Sequence, residues 1–214
     1  MDVTIIGPGN MGKAIATRAL SGGHTVTFIG RTAEKAEEAA QTVKDTTDGN
    51  VRVSAETSEN AQLGDVVVLA VPYGTNTELA RQLGEKLDGK VVIDIANPLN
   101  STYSGLATEP DTSSAEEVAS VVPPTAKVVK AFNTTYAGTL FSGQAGGQPL
   151  DVFIAGDDTN AKQLVAELVE DGGMRPVDAG PLSRARQIEG MQFLHILLQN
   201  TLGTNWGSAI KILN

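Results

Sequence analysis

Short apolar runs alternate with longer amphipathic stretches over most of this chain. Asp2-Val3-Thr4-Ile5-Ile6 opens the pattern, and residues 25–29, 51–53, 66–71, 91–95 and 127–132 repeat it with runs rich in Val and Ile. Several runs are apolar at nearly every position, as parallel strands covered on both faces are. Between them the apolar period lengthens, predicting helices over 10–20, 33–43, 75–87 and 115–121. Ser113 and Glu116 have the spacing of a capping box before the last of these, and Pro123-Pro124 ends it. Strand and helix in regular alternation predict an α/β fold, a doubly wound parallel sheet of Rossmann type.

Residues 143–149 hold four glycines or prolines in seven positions and read as a connection. Beyond it come a strand at 151–155, a helix at 159–170, a strand at 174–178 and a helix at 183–202, with more helix after Trp206. Ile188, Met191, Leu194, Leu197, Leu198 and Leu202 give the long helix a broad apolar face. That face is expected to pack on the first domain or on a second copy of it. The division is therefore a Rossmann domain over 1–146 and a small C-terminal α/β-helical domain over 147–214.

At 214 residues, with 41% apolar and 19% charged positions, the composition is that of a soluble globular protein. The absence of cysteine excludes disulfides, thiolate metal sites and cysteine nucleophiles. Two histidines make a protein-held transition metal an unpromising reading. A net charge of −9 argues against general nucleic-acid binding. No apolar run approaches the roughly 20 residues of a membrane span, and the N-terminus enters a strand without a signal-peptide pattern. A cytoplasmic protein is expected.

The chemistry begins between the first strand and the first helix, where Gly7-Pro8-Gly9-Asn10-Met11-Gly12 stands. In that context Gly-x-Gly-x-x-Gly is the dinucleotide fingerprint. Gly7 serves the turn, Gly9 the approach to a pyrophosphate and Gly12 the packing of helix on sheet. Asn10 and Met11 add backbone N–H groups at the helix start. The second strand ends in Gly30-Arg31-Thr32, where NAD-binding chains carry a carboxylate for the ribose 2′-OH. Arg31 suits the 2′-phosphate of NADP instead, with Thr32 and Lys35 beside it, although Arg31 stacking on adenine is the competing reading. Val71-Pro72-Tyr73 and Ala96-Asn97-Pro98 follow the fourth and fifth strands, where open α/β sheets bind ligands. They are expected to flank the nicotinamide. Asn133, after the sixth strand, is read either as a carboxamide or substrate contact or as a helix cap. His24 is expected to be exposed, His195 to be a packed structural residue, and Phe193 and Trp206 to pack in the core. No catalytic triad, carboxylate pair or metal cluster is evident, and hydride transfer requires none.

Four segments then match a known family in order: Ile6 to Lys13, Val129 to Thr134, Ala155 to Asp158 and Arg175 to Leu182. Together they resemble the NADPH-dependent reductases of the deazaflavin coenzyme F420. The resemblance implies a cytoplasmic, homodimeric enzyme that exchanges hydride between NADP(H) and a flat small-molecule acceptor in an interdomain cleft. It assigns Gly9, Asn10 and Met11 to the pyrophosphate, Arg31, Thr32 and Lys35 to the 2′-phosphate, and Val71, Pro72 and Ala131 to the nicotinamide. At Asn133 the deazaflavin enzymes carry histidine. There the chain is more similar to the cytosolic domain of the STEAP metalloreductases, which implies a flavin as the other acceptor. Arg184 and Arg186 are read either as contacts to an acidic cofactor tail or as a solvated patch. A reductase of small imines or carbonyls and a non-catalytic NADPH sensor are the alternatives.

Overall fold

The computed structural model describes residues 1–57 and 61–213. The elements among them are β1 (Asp2–Ile6), α1 (Asn10–Ser21), β2 (Thr25–Gly30), α2 (Ala33–Thr46), β3 (Arg52–Thr57) and β4 (Val66–Leu69). Then come α3 (Thr75–Leu83), β5 (Val91–Asp94), α4 (Ser114–Ala119), β6 (Lys127–Lys130), α5 (Ala137–Ser142) and the hairpin β7 (Gln144–Ala145) and β8 (Gln148–Pro149). The chain closes with β9 (Asp151–Gly156), α6 (Thr159–Asp171), β10 (Arg175–Gly180) and α7 (Ala185–Leu202).

Eight strands form one sheet in the order β10-β9-β6-β5-β4-β1-β2-β3. The six from β6 to β3 are parallel. Alternate residues of a strand face opposite sides. In β4, Val66 and Val68 join the core shared with α1, α2, α5 and α6 on one face, while Val67 and Leu69 join the core shared with α3 and α4 on the other. Burying both faces explains why these strands are apolar throughout, each fully buried Val or Leu contributing about 1.5–3 kcal/mol. Ser113 caps α4 at the expected place: its Oγ accepts from Glu116 N–H at 3.2 Å, and the Glu116 carboxylate reaches back to the Ser113 hydroxyl, which donates to Oε2 at 2.7 Å.

The C-terminal segment joins the same sheet. β9 runs antiparallel to β6 through only two residue pairs, Val129 with Gly156 and Lys130 with Ala155. The rest of β9 therefore runs past the carboxyl end of β6, with β10 parallel beside it. Pro176 is tolerated in β10 because that strand is an edge.

Several expectations need correction. The helix expected over 75–87 is interrupted at Gly84 (φ +49°), where it tightens into a 3-10 turn. No helix follows Trp206 among the described residues. Instead residues 203–213 fold back, and Ile212 N–H and Lys211 Nζ both donate to Asp151, at 2.8 and 3.0 Å. His24 is buried, beside the N-terminal amine and Asp171. Trp206 is 53% exposed, with one edge against Tyr136, and Phe193 is only half-buried.

Of the two homes expected for the apolar face of α7, the first domain does not take most of it. Ile188 is buried, but Leu194, Leu197, Leu198 and Leu202 are exposed. The inward face carries Glu189, Gln192, His195 and Gln199, all buried. Their polar atoms have partners: His195 reaches Ser208 Oγ at 2.8 Å and Gln192 at 3.2 Å, and Gln199 donates to Ser208 at 2.9 Å. Buried polar groups need such partners, and the folded-back tail supplies one of them. His195 is thus the packed structural histidine expected from sequence, with its pKa lowered by burial.

Candidate functional site

A cavity of about 670 Å³ opens at the carboxyl ends of β1, β2 and β4. Gly7, Gly9, Gly30, Arg31, Lys35, Val71 and Pro72 line it, together with Ile29, Ala39 and Leu79, whose apolar surfaces suit a flat base. The fingerprint residues are there for distinct physical reasons. Gly7 has φ +113°, and a Cβ on it would lie 2.2 Å from the Ala70 carbonyl oxygen. A Cβ on Gly12 would lie 2.1 Å from the Gly7 carbonyl oxygen. A Cβ on Gly9 would meet nothing within 4 Å. The fold therefore requires Gly7 and Gly12, whereas the space beside Gly9 is left for something other than protein. Gly9 caps α1 without a side-chain hydrogen bond, so the first-turn N–H groups of Asn10 and Met11 have no intrahelical acceptor. They face this end of the sheet with the positive end of the helix dipole.

At the far end of the cavity Arg31 and Lys35 are exposed. Among the described residues neither side chain makes a hydrogen bond or an ion pair. Thr32 caps α2, its hydroxyl accepting from Lys35 N–H at 3.4 Å. It stands between the two cations but does not line the cavity. Glu38, one turn on, is the nearest acidic lining residue on α2. Lys13, also on the wall, was not singled out from sequence.

The other expected site residues lie further along the rim. Tyr73 turns away from the cavity to donate to Glu117 at 3.1 Å. Burial, and then that hydrogen bond, push its hydroxyl up to about 12, so it stays protonated at neutral pH. Asn97 Nδ2 donates to the Asn133 carbonyl and Asn133 Nδ2 to Asn97 Oδ1, each at 2.9 Å. This reciprocal pair closes the turns after β5 and β6 on each other. Asn133 is buried, and its Oδ1 is sealed from solvent with no hydrogen-bond donor among the described residues. Ala131 is fully buried beneath the rim. Between them Phe132 holds φ +62°, a conformation that costs a non-glycine residue about 1–3 kcal/mol. Thr135, through N–H at 3.2 Å and Oγ at 2.7 Å, grips the Phe132 carbonyl and holds the turn. Of the two arginines after β10, Arg184 is exposed and Arg186 pairs with Asp111 at 3.5 Å.

Sequence reasoning missed a cluster directly under this rim. Lys130, at the end of β6, is 0% exposed. Its ammonium donates to Asp94 Oδ2 at 2.8 Å, Glu189 Oε1 at 2.7 Å and the Ala96 carbonyl at 2.5 Å. Asp94 and Glu189 are also 0% exposed. Asn76 donates to Asp94 Oδ1 and to Ser114 Oγ, both at 2.8 Å. Burial raises the Glu189 carboxyl, and Asp94 adds to this, while Lys130 opposes it. The signal was in the sequence: one aspartate and one lysine, each interrupting an apolar run and each ending its strand, on strands in register with one another.

Comparison with known proteins bears on the same segments. A family model described as "NADP oxidoreductase coenzyme F420-dependent" matches residues 2–98. The chain is 33% identical to the F420-dependent NADP reductase of Methanocaldococcus jannaschii, an alignment covering 100% of this chain and 99% of that protein. It is 30% identical to rat metalloreductase STEAP3 over 88% of this chain and 36% of the longer protein. Among solved structures, a putative F420-dependent NADP-reductase from Arthrobacter sp. FB24 superimposes with a TM-score of 0.84 at 27% identity, covering 99% of each chain.

Proposed function

The chain belongs to the family of F420-dependent NADP reductases, and from that premise we propose how its residues serve the reaction. It is an NADP-dependent oxidoreductase that moves a hydride between C4 of the nicotinamide and coenzyme F420. The observation that carries the cofactor assignment is the pairing of an open backbone cradle at Gly9 with two exposed cations, Arg31 and Lys35, that make no ion pair among the described residues. A dinucleotide with a 2′-phosphate fits both ends, and no carboxylate stands at the end of β2 to repel it.

In this reading Gly7, Gly9, Asn10 and Met11 hold the pyrophosphate through backbone N–H groups. Gly30, Arg31, Thr32 and Lys35 surround the 2′-phosphate. Val71, Pro72, Tyr73, Asn97, Ala131 and Asn133 shape the nicotinamide end, Tyr73 through the backbone of its turn and Ala131 and Asn133 from beneath the rim. Bound NADPH supplies the reducing equivalent; the protein aligns the rings, excludes water and needs no acid–base pair. Residues 1–146 carry the cofactor, and 147–214 wall the acceptor side where β9 overhangs β6.

The exposed leucines of α7 support a homodimer in which a second copy covers that face. No helix among the described residues is long and apolar enough to cross a membrane, which supports a cytoplasmic setting.

The test is a stopped-flow mix of NADPH-loaded protein with coenzyme F420, FMN and FAD. Rapid single turnover with F420 is the expected result. Turnover with a flavin alone would favour the chemistry suggested by the Ala131-Phe132-Asn133 turn. No turnover with any acceptor, despite NADPH binding, would sink the reading and favour a sensor.

A further inference from the structure

The buried cluster around Lys130 touches every turn of the reaction rim without lining the cofactor cavity. After β4, Gly74 N–H donates to Asn76 Oδ1 at 3.1 Å. After β5, Ala96 is held at both backbone groups: its N–H donates to Asp94 Oδ1 at 3.2 Å and its carbonyl accepts from Lys130. After β6, Lys130 itself leads into Ala131-Phe132-Asn133, and Ala131 N–H donates to the Asp94 carbonyl at 3.3 Å. Glu189 brings in α7, accepting from Lys130 and, at 3.3 Å, from Ser114 N–H at the start of α4. The ammonium has three N–H bonds and all three are committed.

Two carboxylates and one ammonium, fully buried, are a poor device for stability, because their desolvation offsets their attraction. What such a cluster offers is direction, since each saturated member fixes the next. We propose that Asp94, Lys130 and Glu189, with Asn76 and Ser114, form a positioning network that sets the relative placement of the three rim turns and makes it depend on the seating of α7. The proposal rests on the reading of that rim as the nicotinamide end.

Two variants test it from opposite sides. Glu189→Leu releases α7 while leaving Lys130 paired with Asp94. Asn76→Ala releases the Gly74 turn and one hydrogen bond to Asp94 while leaving both Lys130 ion pairs in place. Lys130→Met strands two buried carboxylates and serves only if it folds. For each folded variant, NADPH affinity, the emission of bound NADPH and the single-turnover rate at saturating NADPH are measured. Affinity is expected to stay within about threefold, while the single-turnover rate with coenzyme F420 falls about tenfold or more. Emission should move toward that of free NADPH as the ring loses its seat.

Wild-type rates and emission in both variants, even with lowered Tm, would show a purely structural cluster and overturn the proposal. So would a slow rate fully restored by more NADPH. If the wild-type protein fails to reduce coenzyme F420, the functional reading falls separately. The emission readout needs no acceptor and still decides: a shift supports the network and an unchanged spectrum overturns it.

Discussion

Replacing Gly9 with alanine separates the needs of the fold from those of the ligand. The backbone of Gly9 is already extended, at φ −78° and ψ −176°, which alanine adopts freely. The added methyl meets no protein atom within 4 Å. Losing glycine's freedom in the unfolded chain stabilises by about 0.4–1 kcal/mol, and the poorer cap costs about 0.5–1 kcal/mol. The two nearly cancel, so Tm should move by no more than about 3 °C. NADPH affinity should nevertheless fall at least tenfold, a loss of about 1.4 kcal/mol, because the methyl enters the space reserved for the phosphates. Gly7→Ala and Gly12→Ala should behave oppositely, losing stability first, since their methyl groups would lie 2.2 and 2.1 Å from carbonyl oxygens. Calorimetry with NADPH titration on the three variants checks the contrast. Wild-type NADPH binding by Gly9→Ala would refute the reasoning, for the backbone would then not approach the cofactor there.

Arg31→Ala should lower NADPH affinity about 10- to 100-fold, the value of a charge-assisted hydrogen bond, and leave NADH nearly unchanged; equal losses would show that Arg31 only stacks on adenine. Leu194→Lys with Leu197→Lys should weaken the proposed dimer about a hundredfold or more, seen as monomer in sedimentation with the monomer fold retained; an unchanged dimer would place the interface elsewhere. Acid should free the C-terminal tail. Burial pushes the Asp151 carboxyl up, but Arg175, the Ile212 N–H and Lys211 outweigh it and hold it at about 2, against an ordinary 3.8. A carboxyl lowered in the folded state stabilises above about pH 4 and loses that contribution, about 2 kcal/mol, as pH falls toward about 2. The emission of Trp206, on the tail, should follow this transition, and an identical profile in Asp151→Asn would exclude Asp151 as its origin.

The β1–α1–β2 unit was legible because three independent signals coincide there: an apolar run, glycines at positions where side chains collide, and a switch of period. The parallel sheet was legible for the same reason, as continuous Val and Ile runs have no other comfortable home. Helix α7 was not, because periodicity reports that a helix has two faces without saying which one turns inward. Glu189, Gln192, His195 and Gln199 face in because Lys130, distant in sequence, and Ser208, on a tail that folds back, wait for them. The Lys130 cluster was hidden in the same way, each member reading singly as the polar end of a strand or helix. His24, directly after two turn glycines, looked exposed until the N-terminal amine and Asp171 closed over it. At the rim, Asn97 and Asn133 were named from sequence, but their union as a pair depends on the register of β5 and β6.

The seam between β6 and β9 has a consequence for how the chain finds its final form. A ladder of two residue pairs supplies little information about alignment, since a slip of two residues would keep every side chain on its own face. Alignment must come from shape. A Cβ on Gly156 would press to 3.3 Å from the Val128 carbonyl oxygen and Val129, a tight contact that a glycine avoids. The C-terminal strand–helix–strand unit is therefore expected to assemble from its own local contacts and dock late, as a preformed piece seated by a keyed edge rather than zipped by hydrogen bonds. Gly156, which lines no part of the cofactor cavity, would then favour the alignment the finished protein keeps.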